Sequence, residues 1–364
     1  MSIKVYFFCY PLGTPDKSGY EHVAIGLAEG LKELGVTLHC NVDLWQQSID
    51  ENNFLIKKTN DPKAYKECDI VLFTSSFFLY QRLDLLPTDL FNKKRKYKLV
   101  FLDNADGLIT PGFDKNIYEN VDIILKSHYN KRYSYPENFR PWQFGFTKRI
   151  LETVQPLPYG QREKEILINF RLTHKLRDMA KTEILPMTFN KFSPNYTEDS
   201  FEDVENNSAL EQLYWRQTGR RHYPAYYKRL SQSMACACFG GFLQENMETE
   251  TFNFKHKLLY QVNKVFPIVK YDRLYQFDSF RFWEAMVAGC CIFHVDLKKF
   301  GAVFPETPES GKHYIGVDVN NPEATKKIMK HGYHYFEDAA MNGKEWAIQK
   351  FSTIKVGERF LELV

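Results

Sequence analysis

The residues best placed to do chemistry stand in Asp278–Val295, which reads DSFRFWEAMVAGCCIFHV. Asp278 and Ser279 suit a helix start, because their side-chain oxygens can accept the unpaired amides of a first turn. Arg281 and Glu284 are three apart, so on a helix they share one face near its N-terminus. Amide donors, helix dipole and guanidinium together make an anion site. Glu284, one turn on, could accept two hydroxyls such as a ribose offers. The segment, Phe280 included, reads as a pocket for a nucleoside diphosphate; the plainer alternative is a helix in which Arg281 and Glu284 pair with each other. Further candidates leave the ends of apolar runs, where open α/β sheets place ligands. Asp103 and Asp106 follow one such run and His128 the next, on the acceptor side of a cleft, although Asp106-Gly107 is also a routine turn. Lys93-Lys94-Arg95-Lys96 reads as a solvated loop rather than a nucleic-acid signal.

These residues need elements to hold them. Gly289 ends the helix, and Cys290–Val295 is apolar enough for a buried parallel strand. At the other end of the chain, Ile3–Tyr10 predicts a first strand, followed by a loop through Gly19. Val23, Leu27, Leu31 and Leu34 then recur at helical spacing, Gly35 closes that helix, and Val36–Val42 predicts a second strand. This is the opening of a Rossmann-like unit, but without GxGxxG, so a dinucleotide cofactor is not expected. Ile70–Phe73, Leu99–Leu102 and Asp122–Leu125 continue the strands. Tyr135–Gly160 carries four prolines and little periodicity, as an interdomain connection would. Glu165–Phe170 starts a second β-run, ending in Arg171 and reaching Lys175 in the next turn. Tyr196–Asn207 is acidic and aperiodic, like an insertion or flap. Tyr226–Met234 predicts a helix leading into Ala235–Phe239 and Gly240-Gly241. Val265–Val269 is a further strand candidate, and Trp346–Val364 a helical end. The reading is two domains, residues 1–150 with helix 346–364 and residues 160–345.

At 364 residues two domains are the expectation, and 44% hydrophobic content supplies two cores. Forty-eight basic against 45 acidic residues leave +3, too even to imply nucleic acid. The seven cysteines include adjacent Cys290-Cys291 but no CxxC, so neither a zinc site nor a disulfide framework is expected. There is no leader-like N-terminus and no apolar run of about 18 residues, so no membrane span is expected. The expectation is a soluble, cytoplasmic protein with the Asn195-Tyr196-Thr197 sequon unused.

D-S-F-R-F-W-E-A-M-V-A-G-C-C-I resembles the donor-binding segment of GT-B glycosyltransferases, in its exostosin-like form D-S-x-R-x-x-E-A-x-x-A-G-C-x-P. Cys291 and Ile292 follow Cys290 without the proline. Ser18-Gly19-Tyr20-Glu21-His22-Val23 with Leu27-Ala28 and Leu31 resembles the G-G-x-E-x-x-V…L-A-x-x-L opening of retaining members, with Ser18 in place of the first glycine. Arg171 and Lys175 resemble the basic pair of G-R-x-x-x-x-K-G, and Tyr226–Gly241 the glycine-ended helix–strand stretch. The resemblance implies GT-B architecture: two Rossmann-like domains facing a deep cleft, with a last helix crossing back. It implies that the Gly19 amide faces the donor, that Arg171 and Lys175 grip its diphosphate, and that Gly240 lets backbone approach it. Glu21 and His22 would sit near the cleft as catalytic candidates alongside Asp106. Equally, Glu21 could complement the helix dipole and His22 be merely exposed.

The function so implied is sugar transfer from a nucleotide-diphosphate sugar, UDP most readily, to an acceptor hydroxyl that the residues do not specify. Helix dipole and basic side chains would neutralise the leaving diphosphate, so neither metal nor cofactor is expected. The exostosin-like core hints at inversion, the N-terminal element at retention. The alternatives are a UDP-sugar 2-epimerase of the same fold, a phage-type DNA-modifying glucosyltransferase and a non-catalytic sugar-nucleotide binder. Glycan, small molecule and DNA are all open as acceptor.

Overall fold

A computed structural model describes residues 3–11, 21–50, 52–108, 115–169, 174–197, 208–218, 225–241, 243–245 and 271–364. Gly19, Arg171, the Val265–Val269 strand candidate and most of the acidic Tyr196–Asn207 stretch lie outside the described residues.

The first half builds a parallel sheet. β1 (Lys4–Phe8) is followed by α1 (His22–Glu33), β2 (Thr37–Cys40) and a short antiparallel pair, β3 (Leu44–Gln46) and β4 (Phe54–Ile56). β5 (Ile70–Thr74), β6 (Lys98–Asp103), β7 (Ile123–Lys126) and β8 (Phe139–Pro141) complete the order β2-β1-β5-β6-β7-β8. Val5 lies opposite Leu38 on one side and Ile70 on the other. Alternation divides the core, as a period of two requires. Val5 and Phe7 join the cluster under α1, while Tyr6 and Phe8 join Phe73 and Phe101 on the other face.

After α2 (Lys148–Thr153) a second parallel sheet begins. It contains β9 (Glu163–Ile168), β10 (Ser193–Tyr196), β11 (Ser233–Ala237), β14 (Cys291–Val295) and β15 (Ile315–Val317), in the order β10-β9-β11-β14-β15. Cys236 sits opposite both Leu167 and Ile292. An antiparallel pair, β12 (Leu243–Glu245) and β13 (Tyr271–Leu274), precedes β14. Its helices include α3 (Lys175–Met179), α4 (Ala209–Gln217), α5 (Ala225–Gln232) and α6 (Phe280–Val287). The proline-rich Tyr135–Gly160 passage is therefore more structured than its sequence suggests, since β8 and α2 both fall within it.

The expected C-terminal helix is two helices. α7 (Tyr333–Phe351) packs against α6 and β14 of the second sheet, and the chain breaks at Ser352. α8 (Thr353–Leu363) then crosses to α1. The crossing is close because glycines meet there: a Cβ at Gly30 would lie 1.8 Å from the Thr353 carbonyl oxygen. Val356 and Phe360 of α8 complete the core under α1. All seven cysteines are buried and free. Among the described residues no helix is long and apolar enough to cross a membrane.

Candidate active site

Each sheet has one point where successive strands leave in opposite directions, and ligands of open α/β sheets bind there, at the carboxyl ends. In the first sheet it lies between β1 and β5, in the second between β9 and β11. Side chains from both ends meet across the two halves.

On the second half, Ser279 caps α6, its Oγ accepting the Phe282 amide at 3.3 Å. Asp278 does not share that task, contrary to the sequence reading. Its buried carboxyl accepts the Phe144 backbone amide from the other side of the connection, and the Trp283 indole N–H at 2.6 Å. Burial pushes this carboxyl up to about 8. Arg281 donates to the Asn169 carbonyl at the end of β9, so its guanidinium stands at the switch point. Glu284 is buried and its Oε1 accepts the Tyr227 hydroxyl at 3.2 Å. Lys175 opens α3 with its ammonium 5.0 Å from the Tyr271 ring centre. Gly240 has a packing reason to be glycine: a Cβ there would lie 2.0 Å from the Gln276 carbonyl oxygen.

On the first half, Glu21 is buried between β1 and β5. Its Oε1 accepts the Tyr10 amide at 3.3 Å and the Thr74 hydroxyl at 3.1 Å, while Oε2 has no hydrogen-bond partner. Burial outweighs those bonds and raises the carboxyl to about 7. His22 begins α1 and reaches the second half, its ring 4.7 Å from that of Phe280. Phe280 stacks in turn on Phe144 at 4.9 Å. A narrow recess lined by His22, Gly145, Phe146, Thr147, Phe280 and Glu284 thus joins the two halves.

The three strand-end candidates separate. Asp103 is no acceptor-side residue: its carboxylate is fully enclosed and pairs with buried Lys126 at 3.1 Å. His128 is also fully buried, with Nδ1 3.4 Å from the backbone amides of both Phe277 and Asp278. That fixes a neutral ring with its proton on Nε2, and burial holds its pKa below the ordinary value. Asp106 is different, with a side chain 61% exposed, 3.6 Å from the His128 Nε2. It also accepts the Gln276 amide from the second half. Burial alone would raise this carboxyl, but His128 and Gln276 outweigh it and hold it below the usual range. Asp106 and His128, named separately from the sequence, are one cross-cleft cluster.

Sequence reasoning missed Gln276 and Asn130, which stand in no recognisable motif, and did not single out Tyr227 within the Tyr226–Gly241 stretch. Asn130 fastens the halves together, its amide donating to the Leu274 carbonyl at 3.1 Å and the Phe300 carbonyl at 2.9 Å.

Two parallel sheets with facing carboxyl ends and a last helix returning to the first sheet make this the GT-B fold of glycosyltransferases. No family model and no curated protein matches the sequence. Solved structures do share the fold. An α-glucosyltransferase in complex with UDP and a 13-mer DNA containing a central A:G mismatch superposes with a TM-score of 0.55 at 11% identity, over 100% of both chains. An α-glucosyltransferase complex with UDP-glucose and DNA containing an abasic site gives 0.53 and 12%, again over 100% of both chains. AviGT4, a glycosyltransferase involved in avilamycin A biosynthesis, gives 0.50 and 11% over 99% of this chain and 96% of its own.

Proposed function

We propose that the chain is a glycosyltransferase that moves a sugar from a nucleotide-diphosphate sugar, most readily a UDP-sugar, to an acceptor hydroxyl, without a metal ion. The observation that carries this is the meeting of His22, at the start of α1 on one half, with Phe280, at the start of α6 on the other. The roles follow from chemistry. Arg281, with Lys175 and Arg171, balances the diphosphate charge, which grows as the leaving group departs. Glu284 takes the ribose hydroxyls and Ser279 holds the start of α6. His22 faces the sugar being transferred. Glu21 and Asp106 divide by environment, as carboxylates with separate tasks do. Glu21, near 7, is suited to accept a proton at neutral pH. Asp106 stays ionised and suits hydroxyl binding. We assign acceptor binding to residues 1–150 with α8, and donor binding to residues 160–345.

Structures of this fold in complexes with DNA support placing duplex DNA in the acceptor panel beside glycans and small alcohols. The test is thermal stabilisation by a panel of nucleotide sugars, since a ligand at a hundred times its Kd adds about 2.7 kcal/mol. Donor turnover with each acceptor class follows, and a sugar nucleotide changed with no acceptor present would favour the epimerase. Stabilisation by no nucleotide would refute the proposal.

A further inference from the structure

Trp45 stands in β3 with φ +58, a left-handed backbone that a bulky residue rarely adopts. Such outliers cluster where structure is held for function. Only Leu44 and Gln46 on either side keep the ladder with β4. The indole itself is buried and sits between two groups. On one side the His22 ring meets it edge-on at 5.4 Å. On the other, the Arg149 guanidinium lies 3.7 Å over its centre.

Arg149 is itself held on every side. Its second face covers the Tyr214 ring of α4, also at 3.7 Å, so the cation is clasped between an aromatic of each half. One nitrogen donates to the Gln46 carbonyl at 3.1 Å, next to the strained residue. Another, Nη1, is buried without a hydrogen-bond partner. The helix carrying it is fixed where it starts, because the Lys148 amide donates to the buried Glu29 carboxyl of α1 at 2.8 Å. The result is an ordered stack running Tyr214, Arg149, Trp45, His22, Phe280, from the second half through the first and back. A stack that served only to fill space would need neither a cation with an unpaired nitrogen nor a left-handed tryptophan.

We propose that Trp45, clamped by Arg149, is a positioning residue that fixes the His22 ring against Phe280 at the mouth of the donor recess. This rests on the reading that His22 faces the transferred sugar. Neither Trp45 nor Arg149 touches substrate in this account. Their loss therefore leaves donor binding alone and misplaces one group by a fraction of its own width, the kind of error that costs turnover.

The experiment uses the full chain and three variants: Trp45→Phe, Trp45→Ala and Arg149→Met. Two readouts are taken, donor kinetics with UDP calorimetry, and the side-chain NMR signals of histidine-labelled protein assigned through His22→Gln. Trp45→Ala should lower kcat by about ten- to a hundredfold with donor KM and UDP Kd held within about twofold. Its His22 signals should shift or broaden. Arg149→Met should show the same pattern, smaller, and Trp45→Phe, which keeps a ring in place and guards against misfolding of the alanine variant, should be intermediate. The proposal is overturned if the His22 signals of folded Trp45→Ala match the wild type. It is equally overturned if the melting temperature falls while kcat per folded molecule is unchanged. Should the wild type turn over no nucleotide sugar while its His22 signals still respond to Trp45 and Arg149, the positioning contact stands and the transferase reading fails.

Discussion

Replacing Glu21 with glutamine should make the protein relatively more stable as the solution becomes more alkaline, while removing its activity. The carboxyl is raised to about 7 from an ordinary 4.5 because burial penalises its ionised form. A raised folded-state value means the folded chain holds the proton more tightly than the unfolded chain. The stability from this group is therefore complete below about pH 4.5 and falls as pH rises to about 7. Integrated from about pH 5 to about pH 8.5, that is a loss of about 2.5 kcal/mol. The glutamine side chain cannot ionise, and its amide oxygen can keep both the Tyr10 and Thr74 bonds. Urea unfolding of both proteins at the two pH values should move their difference by about 2.5 kcal/mol in favour of Glu21→Gln. Buried Glu29, raised to about 7, and Asp278, raised to about 8, carry the same sign in both proteins and cancel in the comparison. If Glu21 accepts the acceptor's proton, turnover should fall by about 10²–10⁴ with UDP affinity unchanged. Parallel stability curves would instead mean that Glu21 titrates as an ordinary carboxyl in the folded chain.

Three further outcomes follow from the packing. Gly30→Ala should separate α8 from α1, because the new Cβ would lie 1.8 Å from a backbone oxygen; the melting temperature should fall and amide exchange in α8 should accelerate. Asn130→Ala leaves two carbonyls, of Leu274 and Phe300, without their donor, at about 1–3 kcal/mol each, measurable by urea denaturation with UDP affinity as a control. Asp103→Asn strands the buried Lys126 charge and should cost about 3–5 kcal/mol; unchanged UDP affinity per folded molecule would separate this structural role from a role in binding.

Local pattern made the repeating elements legible. Val23, Leu27 and Leu31 at helical spacing mark α1, and the capped, glycine-ended Asp278–Val295 unit forms α6 and β14 as expected. Three-residue strands such as β3 and β8 are too short to show a period. Continuous apolar spacing from Trp346 hid the break at Ser352, which lets α7 pack on α6 and β14 while α8 packs on α1. Charge at a strand end singled out Asp106 and Asp103 alike, yet the structure leaves the first exposed and encloses the second. Their partners Lys126 and His128 lie in another strand and its following loop, and no local spacing announces that pairing. Asp278 looked like a cap because its use depends on the Phe144 amide, far away in sequence.

In the proposed transferase, Arg281 and Glu284 read adjacent parts of one nucleotide. Calorimetric titration of UDP and of pyrophosphate into Arg281→Ala and Glu284→Gln tests it most directly. A charge-assisted bond contributes about 1.5–3 kcal/mol, so Arg281→Ala should weaken both ligands roughly ten- to a hundredfold. Glu284→Gln should weaken UDP and leave pyrophosphate, which carries no ribose, unchanged. UDP binding that persists at wild-type strength in both folded variants would contradict the account.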